Sequence, residues 1–333
     1  MATNVNEAFT LFMANHVNLD PAETVTARGS RDWLATQLRA FHTDFADFPR
    51  PYEEKDIFYG SFHRRTKIRP LDDIDLIACL HAQGCTYLSY GTEIRLTVPQ
   101  EAERLRPLCH DESQELNSRK VINQFVRRLS KIPQYRRADI GRNGEAAVLS
   151  LESYTWSFDI VPAFFTKPES DGRTYYLIPD ANGHWKKTDP RIDQDRITQT
   201  NQAHDGNLLP VIRLMKYWNR RTTKPVIDSY VFETIVVNHF RASTSKATVY
   251  IDLHVEAPLR EISSAILQLI SDPKGIQGDL NQTSLGDRFA ISTRATHDAA
   301  RAVEARNAEN RDDHKGAIRL WSEIFGPDFP AYG

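Results

Sequence analysis

The order of apolar and polar positions divides the chain into a mixed first part and a helical last part. Over 6–17 and 23–48 apolar residues recur at helical spacing (Trp33, Leu34, Leu38, Phe41, Phe45), and Pro49 and Pro51 end the pattern, so the chain is expected to open with two helices. Between Asp56 and Phe165 the texture changes to short runs rich in β-branched and aromatic residues, at 57–59, 74–80, 95–98, 146–151 and 154–165, which predict strands. One helix, over 113–131, interrupts them with Leu116, Val121, Ile122, Phe125, Val126 and Leu129 on its apolar side. A loop dense in Gly, Pro and Asp covers 168–190 and contains one more strand-like run at 174–178. Past Gly206 the helical period dominates, at 208–220, 230–241, 259–270, 289–310 and 314–325. The pattern predicts an α+β or mixed α/β layer followed by helices, with a boundary near Gly206. The Ala/Arg/Glu-rich stretch 295–311 reads as a solvated helix face, and no internal repeat or low-complexity tract is present.

Composition adds limits. A length of 333 residues with 40% apolar content fits one large or two ordinary domains with a packed core. The 42 basic residues nearly balance the 44 acidic ones, giving a net charge of −2, which argues against a protein that coats long nucleic acid by counterion release. Cys79, Cys85 and Cys109 form no paired motif and suit a reduced compartment, and neither a secretory leader nor a spanning apolar run is evident. A cytoplasmic chain without membrane association is the expectation.

The chemistry concentrates in Tyr59-Gly60-Ser61 and, eleven residues on, Asp73-Ile74-Asp75-Leu76-Ile77. A strand of period two puts Asp73 and Asp75 on one face and Ile74 and Leu76 on the other. Two carboxylates aimed at one point suit a hard cation such as Mg²⁺ held together with substrate phosphates. Gly60 can bring backbone N–H groups close to a phosphate, and Ser61 adds a hydroxyl donor. Two-metal phosphoryl transfer calls for a third acid, and Asp159, within the apolar run Ser157-Phe158-Asp159-Ile160-Val161-Pro162, is the candidate, against the plainer reading of an aspartate capping a turn before Pro162.

A Gly-Ser turn, an Asp-x-Asp strand and a distant third Asp resemble the polymerase-β-like nucleotidyltransferases. Leu208-Leu209-Pro210-Val211-Ile212-Arg213-Leu214-Met215-Lys216-Tyr217-Trp218-Asn219, followed by Asp228-Ser229-Tyr230-Val231-Phe232-Glu233, is similar to the helical-lobe signature of oligoadenylate synthetases and cGAS-like enzymes. The chain thus resembles the bacterial cGAS/DncV-like nucleotidyltransferases. The resemblance implies an α+β fold: a two-lobed nucleotidyltransferase core, with a mixed sheet and helices, plus a C-terminal helical-bundle lobe. It implies N-terminal helices over 1–50 packing across the lobes, a catalytic core over 51–205 and a helical lobe over 206–333, with substrate bound between the lobes. It further implies that Asp73, Asp75 and Asp159 hold two Mg²⁺ (or Mn²⁺) and serve catalysis. Gly60, Ser61, Lys216 and Ser229 would contact phosphates, and Tyr230 would stack on a base. The activity implied is synthesis of a cyclic oligonucleotide messenger, a purine dinucleotide of the cyclic GMP-AMP type, from ATP, GTP or other NTPs in anti-phage signalling.

Arg213, Lys216 and Arg220 fall on one stripe of a helix, which by itself reads equally as a solvated face. Arg64 and Arg65 also follow the Gly-Ser turn closely. Gly29-Ser30 looks incidental because it lies in a helix-like stretch with no Asp-x-Asp at the needed distance, and Asp193-Gln194-Asp195 because its polar flanks read as helical, where positions i and i+2 do not share a face. Zinc, P-loop, dinucleotide-fingerprint and hydrolase-elbow spacings are missing. The balanced charge favours intrinsic or protein-controlled activity, through regulatory or effector proteins of the same system, over activation by long nucleic acid. Two alternatives stay open: another transferase of the superfamily (CCA-adding, poly(A)-type or antibiotic-modifying), and a nucleotide-binding regulatory module without catalysis.

Overall fold

Strands form where β-branched and aromatic residues cluster, and helices where the period lengthens. The computed structural model describes all residues, Met1–Gly333. Along the chain run α1 (Val5–Phe12), α2 (Pro21–Asp44), β1 (Ile57–Tyr59), α3 (Gly60–His63), β2 (Asp73–Leu80), β3 (Thr86–Tyr90), β4 (Glu93–Thr97), α4 (Ser118–Leu129), β5 (Asp139–Asn143), β6 (Ala146–Ser150), β7 (Ser157–Phe165), β8 (Tyr176–Pro179) and β9 (Trp185–Thr188). Six further helices follow: α5 (Pro190–Ala203), α6 (Leu208–Asn219), α7 (Ser229–Ala242), α8 (Glu256–Ala265), α9 (Leu285–Glu309) and α10 (His314–Phe325). No helix is long and apolar enough to cross a membrane.

Two compact units result. One comprises Pro21–Arg64 and Pro70–Arg191; the other comprises Met1–Asp20, Arg65–Arg69 and Ile192–Gly333. The sheet unit carries nine strands in the order β1-β2-β7-β8-β9-β4-β3, with β6 also pairing with β7 and β5 with β6. β2 and β7 are parallel and every other pair is antiparallel. Pro162 lies mid-strand, between the residues of β7 that pair with β6 (to Ile160) and those that pair with β8 (from Phe164). Its missing N–H therefore takes nothing from either antiparallel ladder, and the turn-capping reading of Asp159 does not hold. Strands β3, β5 and β9 escape the sequence pattern because their side chains are mostly solvent-facing or polar and show no apolar alternation.

The helical unit buries most of its apolar stripes in one core that includes Phe9, Phe12, Ile68, Trp218, Phe232, Trp321 and Phe325. The division departs from the expected boundaries at 50 and 205. Helix α1 belongs here because Phe9 packs edge-on against Trp321 and Phe329, with ring centroids 5.1 and 5.0 Å apart, whereas α2 belongs with the sheet. Residues Arg65–Arg69 also join this unit, with Ile68 in its core, although the chain on either side belongs to the sheet. Periodicity along a sequence cannot report such an insertion, which depends on contacts between distant segments. The 295–311 stretch is also corrected: Ala295, Ala299, Ala302, Ala305 and Ala308 of α9 are all buried. Small side chains three and four apart form a packing face, and only the opposite side of the helix meets solvent.

Candidate active site

The carboxylates are placed by strand register. In the parallel β2–β7 pair Asp73 lies opposite Ser157 and Asp75 opposite Asp159. Residues in register on adjacent strands point to the same side, so Asp73, Asp75 and Asp159 share one face. All three are partly exposed, whereas Ile74, Leu76, Phe158 and Ile160, pointing to the other side, are buried. Farther along the acid-bearing face, Ile77, Cys79, Val161 and Ala163 belong to an apolar cluster. The acids thus occupy the first residues of both strands, where the packed face gives way to solvent.

Gly60 meets them directly. It has φ +73°, and a Cβ built there would lie 1.7 Å from Oδ2 of Asp75, so a side chain is excluded by both backbone conformation and space. Ser61 follows in the single turn of α3, and Tyr59, at the end of β1, pairs with Asp75. Burial and the charges of Asp75, Glu145 and Asp159 hold the Tyr59 hydroxyl well above its ordinary range, so it stays protonated. Glu145 is ion-paired with Lys186. Neither Tyr59 nor Glu145 carries a sequence signal for this role: one is an ordinary strand aromatic and the other lies beside a hairpin glycine.

The donor set fits a divalent cation, since it consists of hard anionic oxygens, partly open to solvent, beside a glycine without a side chain. No three His, Cys, Asp or Glu side chains are already gathered as a ready metal cage, so the fit rests on that chemistry and on the shared face.

In the helical unit the expected residues sit in charge networks. Lys216 is buried on α6, its Nζ 3.3 Å from Oε2 of Glu233 on α7, and the same oxygen accepts from Thr66 Oγ1 at 2.7 Å. The stripe containing Lys216 is not simply solvated. Arg213 donates from Nε to Asn18 Oδ1 (2.7 Å) and from Nη1 to the Arg65 carbonyl (2.8 Å), and Arg220 donates to the Arg69 carbonyl at 2.6 Å. Burial, aided by Arg65, pulls the Arg213 guanidinium down to about 10. Ser229 is exposed in the first turn of α7, which Asp228 caps by accepting from the Tyr230 and Val231 amides.

Tyr230 is half-buried, and its hydroxyl donates to Asp193 Oδ1 (2.8 Å) and lies 3.2 Å from Asp272 Oδ1. The ammonium of Lys274 stands 3.8 Å from the centre of its ring and ion-pairs with Asp193 and Asp272 at 3.3 and 3.5 Å. Burial and these carboxylates raise the Tyr230 hydroxyl far above its usual range. Asp193-Gln194-Asp195 does lie in a helix as expected, but Asp193 is not incidental, because it anchors Tyr230. Asp193, Asp272, Lys274, Thr66 and Glu233 come together from separate segments, which hid them from pattern reading.

No family model matches the chain. Over 333 residues it is 44% identical to a curated Bacillus cereus (strain VD146) protein named "Probable cyclic nucleotide synthase", spanning 100% of this chain and 99% of that one. The chain belongs to the bacterial cGAS/DncV-like cyclic nucleotide synthases. It is a nucleotidyltransferase that makes a cyclic oligonucleotide, as the resemblance implied. A cyclic AMP-AMP-AMP synthase of Acinetobacter sp. (strain ATCC 27244 / 9458) is 26% identical over 179 residues, 52% of this chain and 50% of that one. Escherichia coli MS115-1 CdnC, solved with ATP, superposes with a TM-score of 0.70 at 18% identity, covering 98% of this chain and 99% of that one. The same enzyme in complex with HORMA-deltaN gives 0.69. At that identity the likeness shows the two-lobed α+β fold of these synthases.

Proposed function

We propose that Asp73, Asp75 and Asp159 are the catalytic and metal-binding acids of this synthase. The observation that carries this is their common face, set by the register of Asp75 against Asp159, with Gly60 packed against Asp75. Two Mg²⁺, or Mn²⁺ in their place, held by these oxygens would neutralise phosphate charge and stabilise the attacking and leaving oxygens. In the step itself a ribose hydroxyl oxygen forms a bond to the α-phosphorus of an NTP as the bond to the β-phosphate bridge breaks. Pyrophosphate leaves with that electron pair, and the Asp159 carboxylate takes the hydroxyl proton. Gly60 allows the Tyr59–Ser61 turn to approach phosphate oxygens, and Ser61 donates a hydroxyl. Lys216 and Ser229 contribute further phosphate contacts, and Tyr230 offers ring surface to a base.

The substrates are ATP, GTP or other NTPs, and the product is a cyclic purine dinucleotide of the cyclic GMP-AMP type. A second reading, an all-adenine ring, is favoured by the name of the Acinetobacter relative and by the ATP in the CdnC structure. Each labelled NTP is to be incubated alone and in pairs with Mg²⁺, and the product treated with phosphatase and a 3′–5′ nuclease. Phosphatase-resistant label appearing only with ATP plus GTP supports the mixed ring, label with ATP alone supports the second reading, and exclusively linear product overturns both.

The proposed setting is anti-phage signalling in the cytoplasm, with control by a protein partner; CdnC in complex with HORMA-deltaN supports that form of regulation. The overall charge conceals one local concentration: Arg127, Lys131, Arg136, Arg137 and Arg142 are all exposed on α4, β5 and the segment between them. Activity assays with and without double-stranded DNA therefore test whether control is by protein; strict dependence on the DNA would overturn that reading.

A further inference from the structure

The buried carboxylate of Glu233 is shared between two segments with different tasks. Its Oε2 faces the ammonium of Lys216 at 3.3 Å and accepts the Thr66 hydroxyl at 2.7 Å. All three residues are buried: Thr66 is 0% exposed, Glu233 4% and Lys216 7%. A carboxylate in such surroundings is costly unless paired and hydrogen-bonded, so this one is held in one place. Thr66 belongs to the Arg65–Arg69 segment, which packs with the helical unit although it joins α3, with Gly60 and Ser61, to β2, with Asp73 and Asp75. The segment is fixed at several other points. Arg213 and Arg220 donate to the carbonyls of Arg65 and Arg69, the Arg69 amide donates to the Val17 carbonyl at 3.1 Å, and Ile68 is buried in the core.

We propose that Glu233 is a positioning residue for nucleotidyl transfer. It holds the Lys216 ammonium correctly aimed despite burial, and the Thr66 hydroxyl in turn holds the Glu233 carboxylate in place. The inference rests on the reading of Lys216 as a triphosphate contact. Glu233 acts on the nucleotide through Lys216.

The test measures binding of α,β-methylene ATP and GTP to the intact enzyme with Mg²⁺, comparing wild type, Glu233→Gln, Thr66→Val and Lys216→Met with the two double variants on Lys216→Met. Glu233→Gln is expected to weaken binding about tenfold and Thr66→Val about threefold, the scale of losing a charge-assisted or a neutral hydrogen bond. On the Lys216→Met background neither substitution is expected to weaken binding further, because the group it positions has gone. Equal losses on both backgrounds would mean a general structural role and overturn the inference. Weak binding by Lys216→Met with wild-type binding by both Glu233→Gln and Thr66→Val would overturn it alone. Wild-type binding by Lys216→Met would instead overturn the phosphate reading of Lys216, and this inference with it. Should Glu233→Gln fail to fold, shown by its melting curve, the isosteric Thr66→Val pair decides.

Discussion

The sheet unit and the helical unit place charge by different means. On β2 and β7 three carboxylates share a face because of backbone pleat and strand register, and the alternate side chains are buried. On α6 and α7 the charges that matter are fixed by side chains from elsewhere: Lys216 by Glu233, and Tyr230 by Asp193, Asp272 and Lys274. A backbone-built acid face can lose a carboxylate without losing packing, because the strands are held by their ladders and by the opposite face. A buried side-chain network cannot, since removing one member leaves others unmatched in a poor solvent for charge. Function and stability should therefore separate in the sheet unit and remain linked in the helical unit.

The largest expected effect is at Asp75. Asp75→Asn should lower product formation by about a thousandfold or more, while the melting temperature changes little, because the isosteric amide leaves the strand ladders and the buried opposite face intact. A normal rate, or a pronounced loss of stability, would break the contrast. Gly60→Ala should impair both properties: with φ +73° and Asp75 Oδ2 1.7 Å from the new carbon, it should cost about 1–3 kcal/mol in urea unfolding and displace Asp75, lowering activity.

Tyr230→Phe removes a hydroxyl bound by two carboxylates and should destabilise by about 1–3 kcal/mol in the same assay, with KM for NTP changing less than for Lys216→Met. Unchanged stability would show that this network is dispensable. The smallest effect concerns Lys224, whose ammonium donates to the carbonyl and side chain of Asn219 and which burial pushes from its ordinary 10.5 down to about 8. Between about pH 8 and 10.5 the unfolded chain then binds more protons than the folded one, so this lysine makes stability rise with pH across that window. Lys224→Met should flatten that rise in pH-dependent unfolding curves; a slope identical to wild type would contradict it.

Much of this arrangement is legible from residues near one another in the chain. Period two already puts Asp73 and Asp75 on one face, Gly60-Ser61 already marks the turn before them, and the 3.6-residue period already outlines α6, α7, α9 and α10. The strands missed were β3, β5 and β9, whose exposed or polar side chains give no alternation to read. The alanine face of α9 was misread for a related reason: alanine fits a solvated helix face as well as a tight helix contact, and only the neighbouring helices decide between the two.

The sequence by itself determined the residue types and their local geometry: two acids one pleat apart, a flexible turn ahead of them, and a lysine and a tyrosine on amphipathic helices. Tertiary structure alone decided that Asp159 stands opposite Asp75, that residues 65–69 fold into the helical unit, and that Lys216 shares Glu233 with Thr66. The physical reason is range. Pleat and helical period act over a few residues, whereas strand register and buried charge pairing depend on which distant segments the whole core brings together.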